Sequence, residues 1–210
     1  MAKKYLIGNA QTIGSCEEQS NYFAIVDNDS DELLAVLADG TIDHPNGRKA
    51  AILAVRYCIE EFKQNKLNSQ EHQKMLGTAL QASRYIQERI YIGKSPRVSL
   101  TMVILKAQTL QYFNVGNNRL YLYDGHRERI IDHNTTKPYT SGKYDLKPKT
   151  VLGIMSAGAG SVTHPAERIK IVGTKGKSTY DKAQAIIKIV ESRGRHNRKN
   201  ATVLLIEHTS

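Results

Sequence analysis

Two short apolar runs, Tyr-Phe-Ala-Ile-Val at 22–26 and Leu-Leu-Ala-Val-Leu-Ala at 33–38, flank the polar stretch Asp27-Asn28-Asp29-Ser30-Asp31. Runs of this length bounded by turn residues mark buried strands, so an antiparallel pair joined by a polar turn is expected. After Pro45-Asn46-Gly47, apolar residues at Ile52, Val55, Tyr57, Ile59 and Phe62 follow a near-helical period and predict a helix over 48–62. Leu76, Leu80, Tyr85 and Ile86 predict a second helix over about 71–90 on the same grounds.

Strand-like segments return at 100–105, 110–115 and 119–123, parted by Lys106-Ala107-Gln108-Thr109 and by Gly116-Asn117-Asn118. Their spacing and the Gly and Asn residues between them predict a meander of antiparallel strands. Further on, the pattern predicts a short strand at Ile169 to Val172, a helix from about Tyr180 to Ser192 and a closing buried strand at Thr202 to Ile206. The stretch 135–166, rich in Gly, Ser, Thr and Pro, carries no clear period. Strands, then helices, then strands again argue for an α+β fold with helices packed on largely antiparallel sheet. No composition break divides the 210 residues, and a single domain over 1–210 is expected.

The first eight residues hold only a very short apolar run, unlike a signal peptide, and no segment nears the roughly 18 apolar residues of a membrane span. A cytoplasmic protein without a membrane partner is therefore expected. Cys16 and Cys58 are too few for a disulfide framework or a thiolate zinc site, and neither has the neighbours of a nucleophile. The net charge of +10 invites a nucleic-acid reading. Apart from 193–199 the basic residues are scattered and no nucleic-acid module is visible, which favours a solvated basic surface.

Three ordered motifs change this picture. The first is Leu37-Ala38-Asp39-Gly40 followed by His44-Pro45-Asn46-Gly47 before a helix. The second runs from Ser99-Leu100-Thr101 through Val115-Gly116-Asn117-Asn118-Arg119 and the Tyr-containing strand to Gly125, then Asp132-His133-Asn134. The third is Lys199-Asn200-Ala201-Thr202-Val203 at the start of the closing strand. Each alone is weak, since Asp-Gly and Asn-Asn most simply mean turns. Together, from Gly14 to Ile206, they resemble the metal-dependent protein phosphatases of type 2C, the PPM family. The resemblance implies a β-sandwich of largely antiparallel sheets flanked by helices. It also implies a site in which carboxylates hold two manganese or magnesium ions and a metal-bridging water attacks the phosphate.

Residue by residue, the resemblance implies a degenerate site. Ser15 stands at the phosphate-binding Arg, Ser20 at the first metal Asp, and Asn117 at the Asp of Gly-Asp-Ser-Arg, while Asp39 and Gly40 are retained. The family's Asp-x-Leu-Leu-Leu-x-Ser-Asp-Gly is matched to 167–176, which puts Lys175 at a metal Asp; a register slip with Glu167 or Asp181 as displaced ligand stays open. Lys199 takes the Asp of the closing Asp-Asn pair, whose Asn is kept as Asn200. Ser20, Asp39, Asn117, Lys175 and Lys199 then carry one net positive charge, where two divalent cations need several negative oxygen ligands. The two ammonium groups are expected to stand in for the metals beside Asp39.

The expected function is thus that of a pseudophosphatase: no catalytic residues, no metal or other cofactor, and another protein as partner. Two alternatives remain. Gly173, Lys175, Gly176, Lys177 and Ser178 offer backbone amides and two lysines for a phosphate or nucleotide, although the P-loop glycine is replaced by Ile171. An active serine/threonine phosphatase with rearranged ligands would need manganese or magnesium.

Overall fold

A computed structural model describes residues 4–28, 32–41, 46–64, 98–132, 139–193 and 199–209. The chain falls into two compact units, one made of Met1–Gln19, Asn118–His133 and Leu146–Ser210, the other of Ser20–Asn117 and Asn134–Asp145. Each unit holds one five-stranded, wholly antiparallel sheet. The helix expected over 71–90 lies outside the described residues. No helix among the described residues is long and apolar enough to cross a membrane.

In the second unit, strands β2 (Asn21–Asn28), β3 (Glu32–Gly40), β4 (Val98–Lys106), β5 (Thr109–Val115) and β8 (Tyr139–Asp145) form a sheet in the order β2-β3-β4-β5-β8. β3 is buried from Glu32 to Ala38, which is why its apolar run is continuous rather than alternating. Helix α1 (Gly47–Lys63) packs on one face of this sheet. Its buried stripe is Ala50, Ala51, Ala54, Val55, Cys58 and Phe62, so small residues let the helix lie close to the strands. Ile52, Tyr57 and Ile59, which share the near-helical apolar period with Val55 and Phe62, are only partly buried. Tyr112 stacks on Tyr144 and Phe113 on Tyr139, tying β8 to β5 through cross-strand aromatic pairs.

In the first unit the order is β1-β10-β9-β6-β7, with β1 (Tyr5–Thr12), β6 (Arg119–Tyr123), β7 (Glu128–Ile130), β9 (Val151–Met155) and β10 (Ala201–His208). Three helices follow β9: α2 (Ala157–Gly160), α3 (Pro165–Val172) and α4 (Thr179–Ser192). The Ser178 hydroxyl caps α4 by accepting from the Asp181 N–H at 3.1 Å. Ala183, Ile186, Ile187 and Val190 of α4 pack against Ala10, Val203 and Leu205 of the sheet. Each of the larger aliphatic side chains contributes roughly 2 kcal/mol by its burial.

Two expectations are corrected. The three strands taken as one meander divide between the sheets: β4 pairs with β5, whereas β6 pairs with β7 and β9. The Gly116-Asn117-Asn118 turn is where the chain leaves one unit for the other, and strand spacing does not distinguish this from a hairpin. Ile169 to Val172 is the last turn of α3, not a strand. Pro165 in its first turn and Glu167, whose carboxylate accepts from the His164 N–H at 2.9 Å, are helix-start signals that outweigh the apolar run. Strands β8 and β9 and helix α2 all fall in the stretch where no period was legible.

A buried ion pair anchors α3. Arg168 grips the Glu128 carboxylate of β7 through two hydrogen bonds, at 2.7 and 2.6 Å, with both side chains only 3% exposed. The same guanidinium donates to the Thr163 carbonyl and hydroxyl and lies 4.5 Å over the Tyr121 ring. Burial works against the charge of Arg168, but the hydrogen bonds to Glu128 and the electrostatic attraction of Tyr121, Glu128 and Tyr123 together more than offset it and raise its pKa. Arg168→Met strands the Glu128 carboxylate and is expected to cost roughly 3–5 kcal/mol in urea unfolding, whereas adding Glu128→Leu should recover most of that loss.

Candidate functional site

In the second unit the residues singled out from the sequence gather at one end of the sheet. Ser20 immediately precedes β2, Asp39 and Gly40 end β3, and Asp39 lies opposite Asn21 on one side and Ser99 on the other. The Gly40 N–H donates to the Ser20 carbonyl at 3.3 Å. A side chain at Gly40 would stand 2.2 Å from the Gly47 carbonyl oxygen, so this position and the start of α1 close on each other only because Gly40 has none. Asn117 is exposed at the end of β5, and its N–H donates to the Ser99 hydroxyl at 3.0 Å. Ser20 is buried and Asp39 half-buried.

In the first unit a second cluster forms where β1 ends, β10 begins and β9 ends. The Asn200 amide donates to the carbonyls of Ile13 and Glu18, at 2.9 and 3.0 Å, and so fixes the turn that contains Ser15 and Cys16. Ser15 is exposed. Ser156 and Thr202 exchange two bonds of 3.0 Å, from the Ser156 N–H to the Thr202 carbonyl and from the Thr202 N–H to the Ser156 hydroxyl. A side chain at Gly158 would stand 2.1 Å from the Asn200 carbonyl oxygen and 3.3 Å from Lys199 Cβ. Lys199 is exposed and Asn200 buried.

Lys175 does not follow a strand end. That residue is exposed in the turn between α3 and α4, with a helix before it instead of a strand. The strand that ends in Ser-x-Gly is β9, and its continuation Ser156-Ala157-Gly158 matches the family's Ser-Asp-Gly with the Asp replaced by Ala157. The signal was present in Val151-Leu152-Gly153-Ile154-Met155-Ser156-Ala157-Gly158, and the missing carboxylate hid it. Glu167 and Asp181 are not displaced ligands of this cluster either. Glu167 pairs with Arg193 at 2.6 Å, and Asp181 is engaged at the start of α4.

The loop 173–178 is poorly disposed to hold an anion. Gly173 closes α3, its N–H donating to the Ile169 carbonyl at 2.8 Å. The Ser178 hydroxyl and N–H both donate to the Asp181 carboxylate, at 2.8 and 3.3 Å, which lowers the Asp181 pKa. Asp181 thus already fills the place at the helix start that a phosphate would take, while Lys175, Gly176 and Lys177 stand exposed beside it. Cys58 is excluded as a nucleophile: burial pushes its thiol up to about 12, and its Sγ lies 3.2 Å from Met102 Sδ in the core.

The donor set does not fit two divalent cations. In the second unit Ser20, Asp39 and Asn117 offer a hydroxyl, one carboxylate and an amide, and in the first Ala157 and Lys199 offer a methyl and an ammonium, so neither cluster is rich in anionic oxygen. Manganese and magnesium require hard, mostly anionic oxygen ligands. Among the described residues, no three or more His, Cys, Asp or Glu side chains group so as to hold a metal.

No protein-family model and no curated protein sequence matches the chain. Solved structures do. A bacterial serine phosphatase is 15% identical, with 97% of this chain and 98% of that one covered and a TM-score of 0.81. The serine/threonine phosphatase Stp1 of Staphylococcus aureus is also 15% identical, over 97% and 95%, with a TM-score of 0.83. The serine/threonine phosphatase PstP/Ppp of Mycobacterium tuberculosis is 13% identical, over 98% and 99%, with a TM-score of 0.80. The fold is therefore the type 2C phosphatase fold, as the three motifs implied. Asn200→Asp, which turns a carboxylate onto two carbonyl oxygens, is expected to lower stability by roughly 3 kcal/mol in thermal or urea unfolding.

Proposed function

We propose that this protein is a pseudophosphatase, a type 2C phosphatase fold without phosphatase chemistry that acts by binding another protein in a phosphosignalling or other regulatory assembly. One observation carries this reading. The residues that build the strand ends are kept, namely Gly40 and Gly47 in one unit and Ser156, Gly158 and Asn200 in the other. Of the five matched metal-ligand positions, only Asp39 still offers a carboxylate. Loss of the glycines and Asn200 would have accompanied loss of the fold; loss of the carboxylates alone removes the chemistry and leaves a surface.

The chemistry that metals supply in the family is activation of a water and neutralisation of phosphate charge. Neither role passes to a residue here. Lys199 is a cation at a ligand position, and Ser15 lacks the guanidinium that grips phosphate in the family. We place the protein in the cytoplasm and assign it no cofactor.

The protein is expected to hydrolyse no small aryl phosphate above background with manganese or magnesium. A turnover abolished by chelation and by Asp39→Ala would overturn the proposal. The variant Ser20→Asp/Ala157→Asp/Lys199→Asp, with three carboxylates restored and one ammonium removed, should bind manganese at least about tenfold more tightly than the natural protein by calorimetric titration. In metal-free buffer it should unfold at a lower temperature, because like charges are brought together.

A further inference from the structure

At the end of the first unit's sheet away from Ser156 and Asn200, β1, β7 and β9 begin and β6 and β10 finish. The turn 147–150 is pinned there. The Thr150 N–H donates to the Lys147 carbonyl at 3.1 Å, and the Lys149 N–H to the His208 carbonyl at 2.7 Å. The loop 173–178 crosses the same end on the helix side of the sheet. A side chain at Gly173 would stand 3.8 Å from the Gly125 carbonyl oxygen between β6 and β7, and one at Gly8 of β1 would stand 2.4 Å from the Tyr180 nitrogen. Lys147, Lys149, Lys175 and Lys177 are all exposed along this end.

The first unit's carboxylates at this end are already engaged. Asp124 accepts from the His126 and Arg127 N–H groups and pairs with Arg127 at 3.5 Å, Asp181 is held by Ser178, and Glu207 pairs with Lys182 at 3.8 Å. Glu128 is turned inward to Arg168. Among the described residues no carboxylate lies within ion-pair distance of Lys147, Lys149, Lys175 or Lys177. Asp181 fills the start of α4, so these lysines act as exposed charges and not as a phosphate cradle. Lys149 also has φ 66°, a left-handed backbone that Gly or Asn adopts far more readily than lysine. A side chain held at a conformational cost points to a use for that side chain, and here it is a cation.

Apolar side chains lie among these charges: Leu6 and Tyr180 are 44% and 54% exposed. Leu6 shares the helix face of β1 with Gly8, and Tyr180 follows Lys177 by three residues in the first turn of α4. Leu6 pairs with Glu207 and Glu207 with Val151, so the start of β9 is roughly 10 Å from Leu6 at the usual strand spacing. A surface of that width takes an extended segment of about five or six residues. A segment of carboxylates with Leu or Phe between them meets both features. A sugar-phosphate backbone gives Leu6 no apolar counterpart, and lysines lack the planar fork that grips phosphate through paired bonds. We propose that this end of the sheet docks an acidic segment of another protein, with Lys147, Lys149, Lys175 and Lys177 facing its carboxylates and Leu6 and Tyr180 covering its apolar side chains. The inference rests on the reading of this protein as a binding module and names the chemistry of its partner.

Fluorescence anisotropy on the full chain tests this with a labelled peptide of about ten residues, mostly Glu with two Leu, in about 0.15 M salt. Dissociation on the order of tens of micromolar is expected, weakened about fivefold or more by Lys147→Glu/Lys149→Glu and by Lys175→Glu/Lys177→Glu. Lys49→Glu/Lys63→Glu, the same charge change on exposed lysines of α1 in the other unit, should alter it less than about twofold. Lys149→Gly separates binding from folding: it relieves the left-handed strain, so the unfolding midpoint should hold or rise while affinity falls about twofold or more. Tyr180→Ala should weaken binding of this peptide and leave that of an all-Glu peptide unchanged. No binding up to about 500 µM, an equal loss in the Lys49→Glu/Lys63→Glu variant, or tighter binding through the same lysines of a DNA duplex of about 20 base pairs or of phosphatidylglycerol vesicles would each overturn the proposal. These outcomes leave the absence of phosphatase chemistry untouched, whereas a manganese-dependent turnover would sink that reading and leave the docking surface in place.

Discussion

A carbonyl oxygen where a side chain would otherwise stand is the constraint on which both candidate clusters depend. The Asn200 carbonyl takes the place of a Cβ at Gly158, and the Gly47 carbonyl does so at Gly40. At 2.1 and 2.2 Å these separations leave no room for even a methyl group, so any larger residue must push a strand end away from its neighbour. In the first unit the contact sets where β9 turns into α2, next to the start of β10. In the second it sets where β3 meets the start of α1. The side chains at these strand ends are positioned by main chain, which is why they can change while the backbone around them stays.

That separation of scaffold from chemistry accounts for the character of the site. Asn200 acts through its amide, by holding the turn at 13–18, and Ser156 through its exchange with Thr202; neither needs a metal to justify its place. A carboxylate cluster is costly to keep without cations because like charges repel. With a methyl at Ala157 and an ammonium at Lys199 in the first unit, and with Asp39 flanked by a hydroxyl at Ser20 and an amide at Asn117 in the second, neither cluster has such repulsion to balance.

Elsewhere in the first unit one buried charged pair is closely compensated. Arg168 and Glu128 share two hydrogen bonds, and one further guanidinium nitrogen donates to Thr163 while the face of the group lies on Tyr121. The arrangement fixes α3 against β7, a strand of only three residues with little ladder of its own. The charged pair therefore supplies orientation that a short edge strand cannot supply through main-chain bonds alone.

The sequence by itself determined the strands whose apolar runs are long, β3, β4, β5 and β10, and the helices α1 and α4, because burial on one or both faces imposes a period that survives without context. It also carried the fold, through the order of Asp39-Gly40, Gly116-Asn117 and Lys199-Asn200, since close backbone approaches restrict residue type even where ligands are lost. Tertiary structure alone decided that β5 and β6 belong to different sheets, because a turn reads the same whether the next strand pairs back or leaves. It alone showed that a helix and not a strand precedes Lys175: an apolar run at 169–172 fits a strand or a helix equally well until Pro165, Glu167 and the Arg168 pair select the helix. And it alone put β1 beside β10 at the end of the sheet among the described residues, since a strand's neighbours are a property of the sheet and not of the residues in the strand.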